Sequence, residues 1–447
     1  MEKYIKLYTD FILNPKPSRL WKFTRFFIHW ITLPIKLLII GSMGFYQIFK
    51  KRNIKIRSVP PKPSIEQKRH FFSSVLTRLP VFRNEEIELH VNRVPYFSEV
   101  NGSNHNTDHQ CSRHGTYTFL MEKLGLRTTQ MDQALAIHMQ SKWLLRGYGK
   151  YKYDQEGMYM NANTTSGDML CGLNLGILTS KDNTVINYRF DELIANMIDN
   201  DYSLLEGGKL EPGDPGFEMQ ENLLKTKDLP FIEMKSSRGM WQPGLETVGA
   251  QALTILSALR IADKKFKNLE AKKHYNKLLW KYGYGLLSLL PTAYIDSKRG
   301  YFNDHNCIIA LYVLSKLADN RLGKFFWKIA MKYVWSLSKH WYNGYFTGLL
   351  EDAHPGTVSE SYIQDCQAFL YENKPRFYGC QGQKKVKTDY IPVSYNYLEE
   401  DEFSPDVPQD EALINSDIPD SLKLKTGLGF IAHAIMLEKN PKVLVND

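Results

Sequence analysis

The sequence predicts an all-α fold arranged as a ring of six helical hairpins, an (α/α)6 toroid, with a membrane-associated helix at its N-terminus. Three observations carry the toroid. After residue 64 the long apolar segments repeat at about 3.6 residues instead of alternating, which is the helical period. The predicted helices also come in two kinds that alternate along the chain. One kind is nearly free of charge: MLCGLNLGILTS (169–180), TVGAQALTILSALRIA (247–262), CIIALYVLSKLA (307–318) and GLGFIAHAIML (427–437). The other is lysine-rich and amphipathic: LEAKKHYNKLLWKYGYGLLSLL (269–290) and LGKFFWKIAMKYVWSLSKHW (322–341). A helix apolar all round must be covered on every side, whereas a charged stripe faces water. Third, the charge-poor helices start near Asp108, Asp168, Glu246, Asp304, Ser359 and Thr426. These starts recur about every 55 to 78 residues, room each time for a helix, its return partner and loops. Buried and half-exposed helices in alternation are what two concentric rings produce. A plain helical array or an irregular helical domain is the alternative.

Taken in order, the first feature is residues 26–49, FFIHWITLPIKLLIIGSMGFYQIF, a mostly apolar run of 24 residues followed by KKR. Its length would cross a bilayer, and it is too long and starts too late for a signal peptide. Trp30 and Tyr46 suit the two membrane interfaces, while Pro34 and Lys36 argue for a helix lying in the interface instead. A buried soluble helix is the plain reading. Residues 1–52 are therefore expected to anchor the chain to a membrane. The basic, proline-containing stretch KKRNIKIRSVPPKPS (Lys50–Ser64) opens a linker and lead-in helix over 53–99, and residues 100–447 form the toroid as a catalytic domain. Irregular stretches are expected at 202–245, 342–358 and 375–425, where Gly, Pro and acidic residues gather.

Composition narrows the function. The net charge of +9 is spread out and densest around the N-terminal apolar run, which reads as a solvated basic surface with membrane-flanking cations. No basic-aromatic recognition module appears, so no nucleic-acid partner is expected. The five cysteines form no CxxC pair, which argues against a disulfide framework and for a reducing, cytosolic compartment. There is no P-loop, no GxGxxG after a strand, no GxSxG and no HExxH. ATP use and redox chemistry are not expected, and no cofactor is implied.

Three of the five cysteines follow an aspartate by three residues, in TDHQC (Thr107–Cys111), GDMLC (Gly167–Cys171) and NDHNC (Asn303–Cys307). An aspartate just before a charge-poor helix is a natural N-cap, and the cysteine then lies in the first turn. On the plain reading Asp caps and Cys packs as a small hydrophobe. In a toroid, however, these helix starts share one mouth of the central cavity. Asp108, Asp168, Glu246 and Asp304 are then candidates for one acidic pocket, where neighbouring carboxylates push their pKa values apart. Cys171 and Cys307 would sit in it, at helix N-termini that favour thiolates. His109 and His305 hold matching places and are candidate acid/base groups or hydrogen-bond donors to substrate. The stretch SNHNTDHQCSRHGTY (Ser103–Tyr117) holds every residue type zinc accepts, but its spacing matches no zinc signature, so no metal is expected. Two further groupings stand out. YNGYFTGLLEDAHPGTVSESY (342–362) holds Tyr345, Glu351, Asp352, His354, Glu360 and Tyr362. Asp352 and His354 are too close to pair as acid and base without a bend between them, and Glu360 at a helix start is the stronger single candidate. SRGMWQPGLET (237–247) places Trp241 and Gln242 ahead of Glu246, a way to hold a sugar ring by stacking and hydrogen bonds, or else an ordinary buried Trp.

The helix pattern over about residues 100–440 resembles the six-hairpin glycosidase-like toroids, which hydrolyse, cleave or epimerise glycans. That resemblance implies that one of Asp168, Asp304 or Glu246 protonates a glycosidic oxygen while another activates water. A lyase or epimerase version would instead use a His or Tyr as base. A second resemblance is to toroids of the linalool dehydratase-isomerase type, where acids, His, Tyr and Cys add or remove water on a terpenoid alcohol without metal. GYFNDHNCIIALYVL (Gly300–Leu314) is similar to that family's aromatic-then-polar helix entries, which puts Tyr301 beside the substrate. The expected partners are thus a glycan or small-molecule substrate and a membrane through residues 26–49. A membrane-tethered helical scaffold without enzymatic activity is the remaining reading.

Overall fold

The computed structural model describes chiefly residues 59–76, 110–139, 167–181, 184–199, 249–285, 300–339, 342–372 and 427–445, with helical residues between 23 and 42 and short pieces near 144–160 and at 202. The described part is all-α except for one two-residue antiparallel pair, β1 (Tyr148–Gly149) with β2 (Tyr159–Met160). The helices are α1 (Ile65–Leu76), α2 (Gln110–Leu124), α3 (Thr129–Ile137), α4 (Gly167–Leu178), α5 (Thr184–Asp199) and α6 (Gly249–Phe266). They continue with α7 (Leu269–Asn276), α8 (Gly300–Lys316), α9 (Arg321–Ser338), α10 (Gly344–Ala353), α11 (Glu360–Glu372) and α12 (Gly427–Met436).

Even-numbered and odd-numbered helices differ in burial. The described side chains of α2, α4, α6, α8, α10 and α12 are buried almost throughout, while α5, α7, α9 and α11 alternate buried with exposed positions. The even helices also follow one another in space. α2 packs on α4, α4 on α6, α6 on α8, α8 on α10, α10 on α12, and α12 back on α2. α4 touches α8 as well. The odd helices lie against this set: α3 on α2 and α5, α7 on α6 and α5, α9 on α8 and α10, α11 on α10 and α12, and α1 on α12 and α11.

Two expectations needed correction. The fifth buried helix is not the one beginning at Ser359 but α10, which lies inside the 342–358 stretch expected to be irregular. Asn343 caps it by accepting the Phe346 N–H at 2.9 Å, after a left-handed Tyr342 (φ 51°) turns the chain in from α9. Its glycines are packing residues: a side chain at Gly348 would run into the Met436 backbone of α12, and one at Gly344 into Leu437. Glycines that read as loop punctuation are what let two backbones approach. The second correction concerns 269–290, expected as one helix. α7 ends at Asn276 and gives way to a π turn, Lys277–Lys281, closed by the Tyr282 N–H on the Lys277 carbonyl. Gly283 follows at φ 70°, where a side chain would strike Leu33 of the N-terminal segment.

The tightest contact joins α2 to α4. A side chain at Gly115 would meet the Gly172 carbonyl, one at Gly172 would meet the Ser112 backbone, and one at Gly176 would press on Gly115. Backbones this close fix the first turns of both helices relative to each other.

Candidate functional site

The even helices bring like ends together. At the start of α2 the Cys111 thiol donates to the Met169 carbonyl of α4 at 3.7 Å. One turn on, Cys171 of α4 lies 2.9 Å from Thr254 Oγ1 of α6 and donates to the Asn306 carbonyl of α8 at 3.7 Å. Either the thiol or the hydroxyl can donate in the Cys171–Thr254 pair. The contacts of Cys171 therefore join three helices. Asn174 and Ser257 repeat the α4–α6 bridge one turn deeper at 2.9 Å.

α8, α10 and α12 complete the cluster. His305 stands edge-on to Tyr345 of α10, with ring centroids 5.4 Å apart, and tilted against Phe346 at 5.9 Å. The Tyr345 backbone N–H donates to His433 Nδ1 of α12 at 3.2 Å, which leaves the imidazole proton on Nε2. Cys111, Cys171, Thr254, His305, Cys307, Tyr345 and His433 are all buried. Burial holds His433 neutral, its pKa lowered to about 3. Burial likewise pushes the Tyr345 phenol far above its ordinary value, with Cys171 nearby adding to the effect. Among the described residues the Tyr345 hydroxyl and Asn306 Oδ1 have no hydrogen-bond partner. A buried polar atom without a partner is costly, by about 1–3 kcal/mol, and Thr116 Oγ1, Asn174 Oδ1 and the Tyr371 hydroxyl share that condition among the described residues.

The predicted site residues divide accordingly. Cys171, His305 and Tyr345 lie together in this cluster, and Cys307 is buried in the same stretch of α8. Asp168 is the second residue of α4 and Asp304 the fifth of α8, at the same end, and Tyr301 opens α8 beside Gly300. Neither aspartate is the N-cap the sequence suggested, because α4 and α8 begin earlier, at Gly167 and Gly300. Asp168 still falls in the first turn of α4, where the helix dipole favours a negative charge, whereas Asp304 lies past the first turn of α8. Asp108, His109, Trp241, Gln242 and Glu246 lie outside the described residues.

The other three are elsewhere. His354 follows the C-terminal end of α10, its Nε2 3.1 Å from Ser315 Oγ, about 13 Å along the helix from Tyr345. Burial, with Lys324, Lys328 and Lys316 adding, lowers its pKa to about 4. Glu360 starts α11 and pairs with Lys439 at 2.6 Å on the surface. The Tyr362 hydroxyl donates to the Lys339 carbonyl, and its ring stacks on Tyr342 at 5.4 Å. These three tie the α10–α11 region to α8, to the segment after α12 and to the end of α9.

Sequence reasoning missed Thr254, Asn306 and His433. His433 is the lone polar residue of GLGFIAHAIM, and that isolation was the available signal; Thr254 and Asn306 stand in helices with other polar residues and carried none. A second buried pair, His114 Nδ1 and His138 Nε2, lies 3.0 Å apart between α2 and α3. Among the described residues no group of three or more His, Cys, Asp or Glu is placed to hold a metal, and no helix is long and apolar enough to cross a membrane. The chain matches no family model, no curated protein and no solved structure.

Proposed function

We propose that the chain is a membrane-associated, cofactor-independent acid/base enzyme whose even helices form the inner ring of an (α/α)6 toroid. The closed cycle of contacts from α2 round to α12 supports the ring. The observation that carries the enzymatic reading is the buried Tyr345 hydroxyl, unpartnered among the described residues, at the shared N-terminal ends of the inner helices. Held protonated by burial, the phenol is a hydrogen-bond donor aimed at a substrate oxygen. Asp168 and Asp304 stand at the starts of two touching helices, where one carboxyl gives a proton and the other or His305 takes one.

The described groups of the cluster, thiol, hydroxyl, phenol and neutral imidazole, sit among Met169, Leu170 and Phe346. Such surroundings favour a small lipophilic alcohol, as in the dehydratase-isomerase resemblance. There the C–O bond breaks as the hydroxyl leaves with a proton, a neighbouring carbon gives up its proton to the base, and a C=C bond forms. A glycan remains the second reading, supported by the two aspartates at one end of adjacent helices; a pair of carboxyl groups is what glycosidic cleavage requires.

The test is ligand-induced stabilisation of the full chain by linalool and, separately, by mixed oligosaccharides. Stabilisation by linalool that disappears in Tyr345→Phe is the expected result. Stabilisation by saccharide alone would move the assignment to the glycan reading. Asp168→Ala with Asp304→Ala should fold normally and lose turnover of whichever ligand binds. Unchanged function in that variant would favour a non-enzymatic scaffold.

A further inference from the structure

The helical residues between 23 and 38 have two apolar faces, and the fold covers one. Phe26, Leu33 and Leu37 share the covered face. Leu33 is 2% exposed and lies against Gly283. Phe26 meets Tyr282 edge-on at 5.2 Å, the Lys281 ammonium stands 5.5 Å over the Phe26 ring, and Trp30 Nε1 donates to the Lys281 carbonyl at 2.9 Å. The π turn after α7 therefore grips this face. The opposite face carries Phe23, Phe27, Ile31, Ile35 and Leu38 at helical spacing. Phe27, Ile31 and Leu38 are 51%, 67% and 71% exposed.

Three features say what covers the open face. In the sequence Lys22, Arg25, His29 and Lys36 recur at three-, four- and seven-residue steps, a separate cationic row at helical period, and Lys50, Lys51 and Arg52 follow. In the fold Trp280, next to the Lys281 that holds Trp30, is 73% exposed, with Lys272, Lys273 and Lys281 exposed around it. An exposed Trp flanked by lysines suits the headgroup level of an anionic bilayer. Finally, a helix gripped along one face by a lysine-bearing turn cannot be surrounded by lipid, because crossing would carry Lys281 into hydrocarbon.

We propose that this segment lies in the plane of an anionic membrane surface. Its open stripe enters the lipid, its other face stays fastened to the turn after α7, and it holds the helical domain on the bilayer without crossing. This rests on the membrane association proposed above and specifies its mode and its lipid.

The test uses the full chain, with vesicles of phosphatidylcholine alone or mixed with phosphatidylserine. Sedimentation with the mixed vesicles, and about tenfold less with phosphatidylcholine alone, is expected. Phe27→Glu with Ile31→Glu changes only exposed positions, so its melting temperature should match wild type while vesicle binding falls about tenfold or more. Protease added outside should trim the N-terminus of bound protein as readily as in detergent. Binding with a protected N-terminus would overturn the in-plane mode and leave membrane association standing. Failure to bind either vesicle would overturn both. Binding that the two glutamates do not reduce, or that ignores phosphatidylserine, would overturn the assigned face or the assigned lipid. A chain that self-associates through the stripe in solution, and loses that association in the glutamate variant without binding vesicles, would assign the face to a second copy instead.

Discussion

The C-terminal ends of α2, α4, α6, α8 and α10 are laced with paired charges. Lys265 donates to the Ile177, Leu178 and Ser180 carbonyls at the end of α4, at 2.7, 3.1 and 2.6 Å. Arg127 donates to the Gly176 carbonyl at 3.0 Å while pairing with Asp132. Arg260 reaches the Leu317 carbonyl at 3.1 Å and pairs with Asp263 and Asp319. Asp352 accepts from Lys123 at 2.6 Å, Tyr312 at 2.6 Å and Lys316 at 2.9 Å, joining three helices. The N-terminal ends instead meet through thiol contacts, the neutral His433 ring and a phenol that finds no partner among the described residues. Parallel helices leave orphan carbonyls at one end and orphan N–H groups at the other. Cations satisfy the first end and make it rigid. The second end keeps unspent hydrogen-bonding capacity, which is the property a substrate site needs.

Breaking the frame that both ends share should have the largest effect. Gly172→Val places a branched side chain against the Ser112 backbone and should cost about 3 kcal/mol or more, read from urea unfolding. If stability changes little, the close α2–α4 approach is not what fixes the cluster. Next comes the charged end alone. Asp352→Ala strands two ammonium groups and a buried phenol and should cost about 2 kcal/mol, with ligand binding by the folded protein unchanged.

Acid separates the two ends further. His433 has its pKa lowered by burial to about 3, so protons favour the unfolded chain once pH drops below about 6.5. Its stabilising effect is complete above that value and declines as pH falls towards 3. Asp352 behaves differently. Burial alone would raise its pKa, but Lys123, with Tyr312 and Lys316, brings it down to about 2. Its contribution is full above the ordinary carboxylate value and declines only as pH falls from there towards 2. His433→Asn keeps an acceptor for the Tyr345 N–H and removes the titration. It should flatten the stability profile between about pH 6 and 4 by about 1.4 kcal/mol per pH unit. His354, at the charged end and lowered to about 4, titrates in the same window and should remain as the residual slope.

Much of this architecture was legible in the sequence. The lysine-striped run 322–341 announces the half-exposed α9, and the charge-poor runs of α4, α6, α8 and α12 announce burial. α10 was hidden because Gly344 and Gly348 look like loop residues until α12 is seen against them. The π turn after α7 was hidden for a related reason, since the groups packed on it, Leu33 and Trp30, lie some 250 residues away. At the site, the shared placement of the Asp-x-x-Cys addresses was readable in part. Cys111 bonds to the start of α4, and Cys171 bonds to the residue before Cys307. His433 stood out as the lone polar residue of α12, but what it does was not readable. Thr254 did not stand out at all, because a His or Thr inside a helix looks the same whether it packs or works.

The smallest change tests the central claim, that the N-terminal end holds hydrogen-bonding capacity for a ligand and not for the fold. Tyr345→Phe removes one oxygen and nothing else. Urea unfolding should place its stability within about 1 kcal/mol of wild type, since no described bond is lost. If linalool or an oligosaccharide is the ligand, as proposed, it should stabilise the wild-type chain and not the variant. A loss of about 2 kcal/mol or more in the free protein, with ligand stabilisation intact, would contradict the account and make the Tyr345 hydroxyl a structural group.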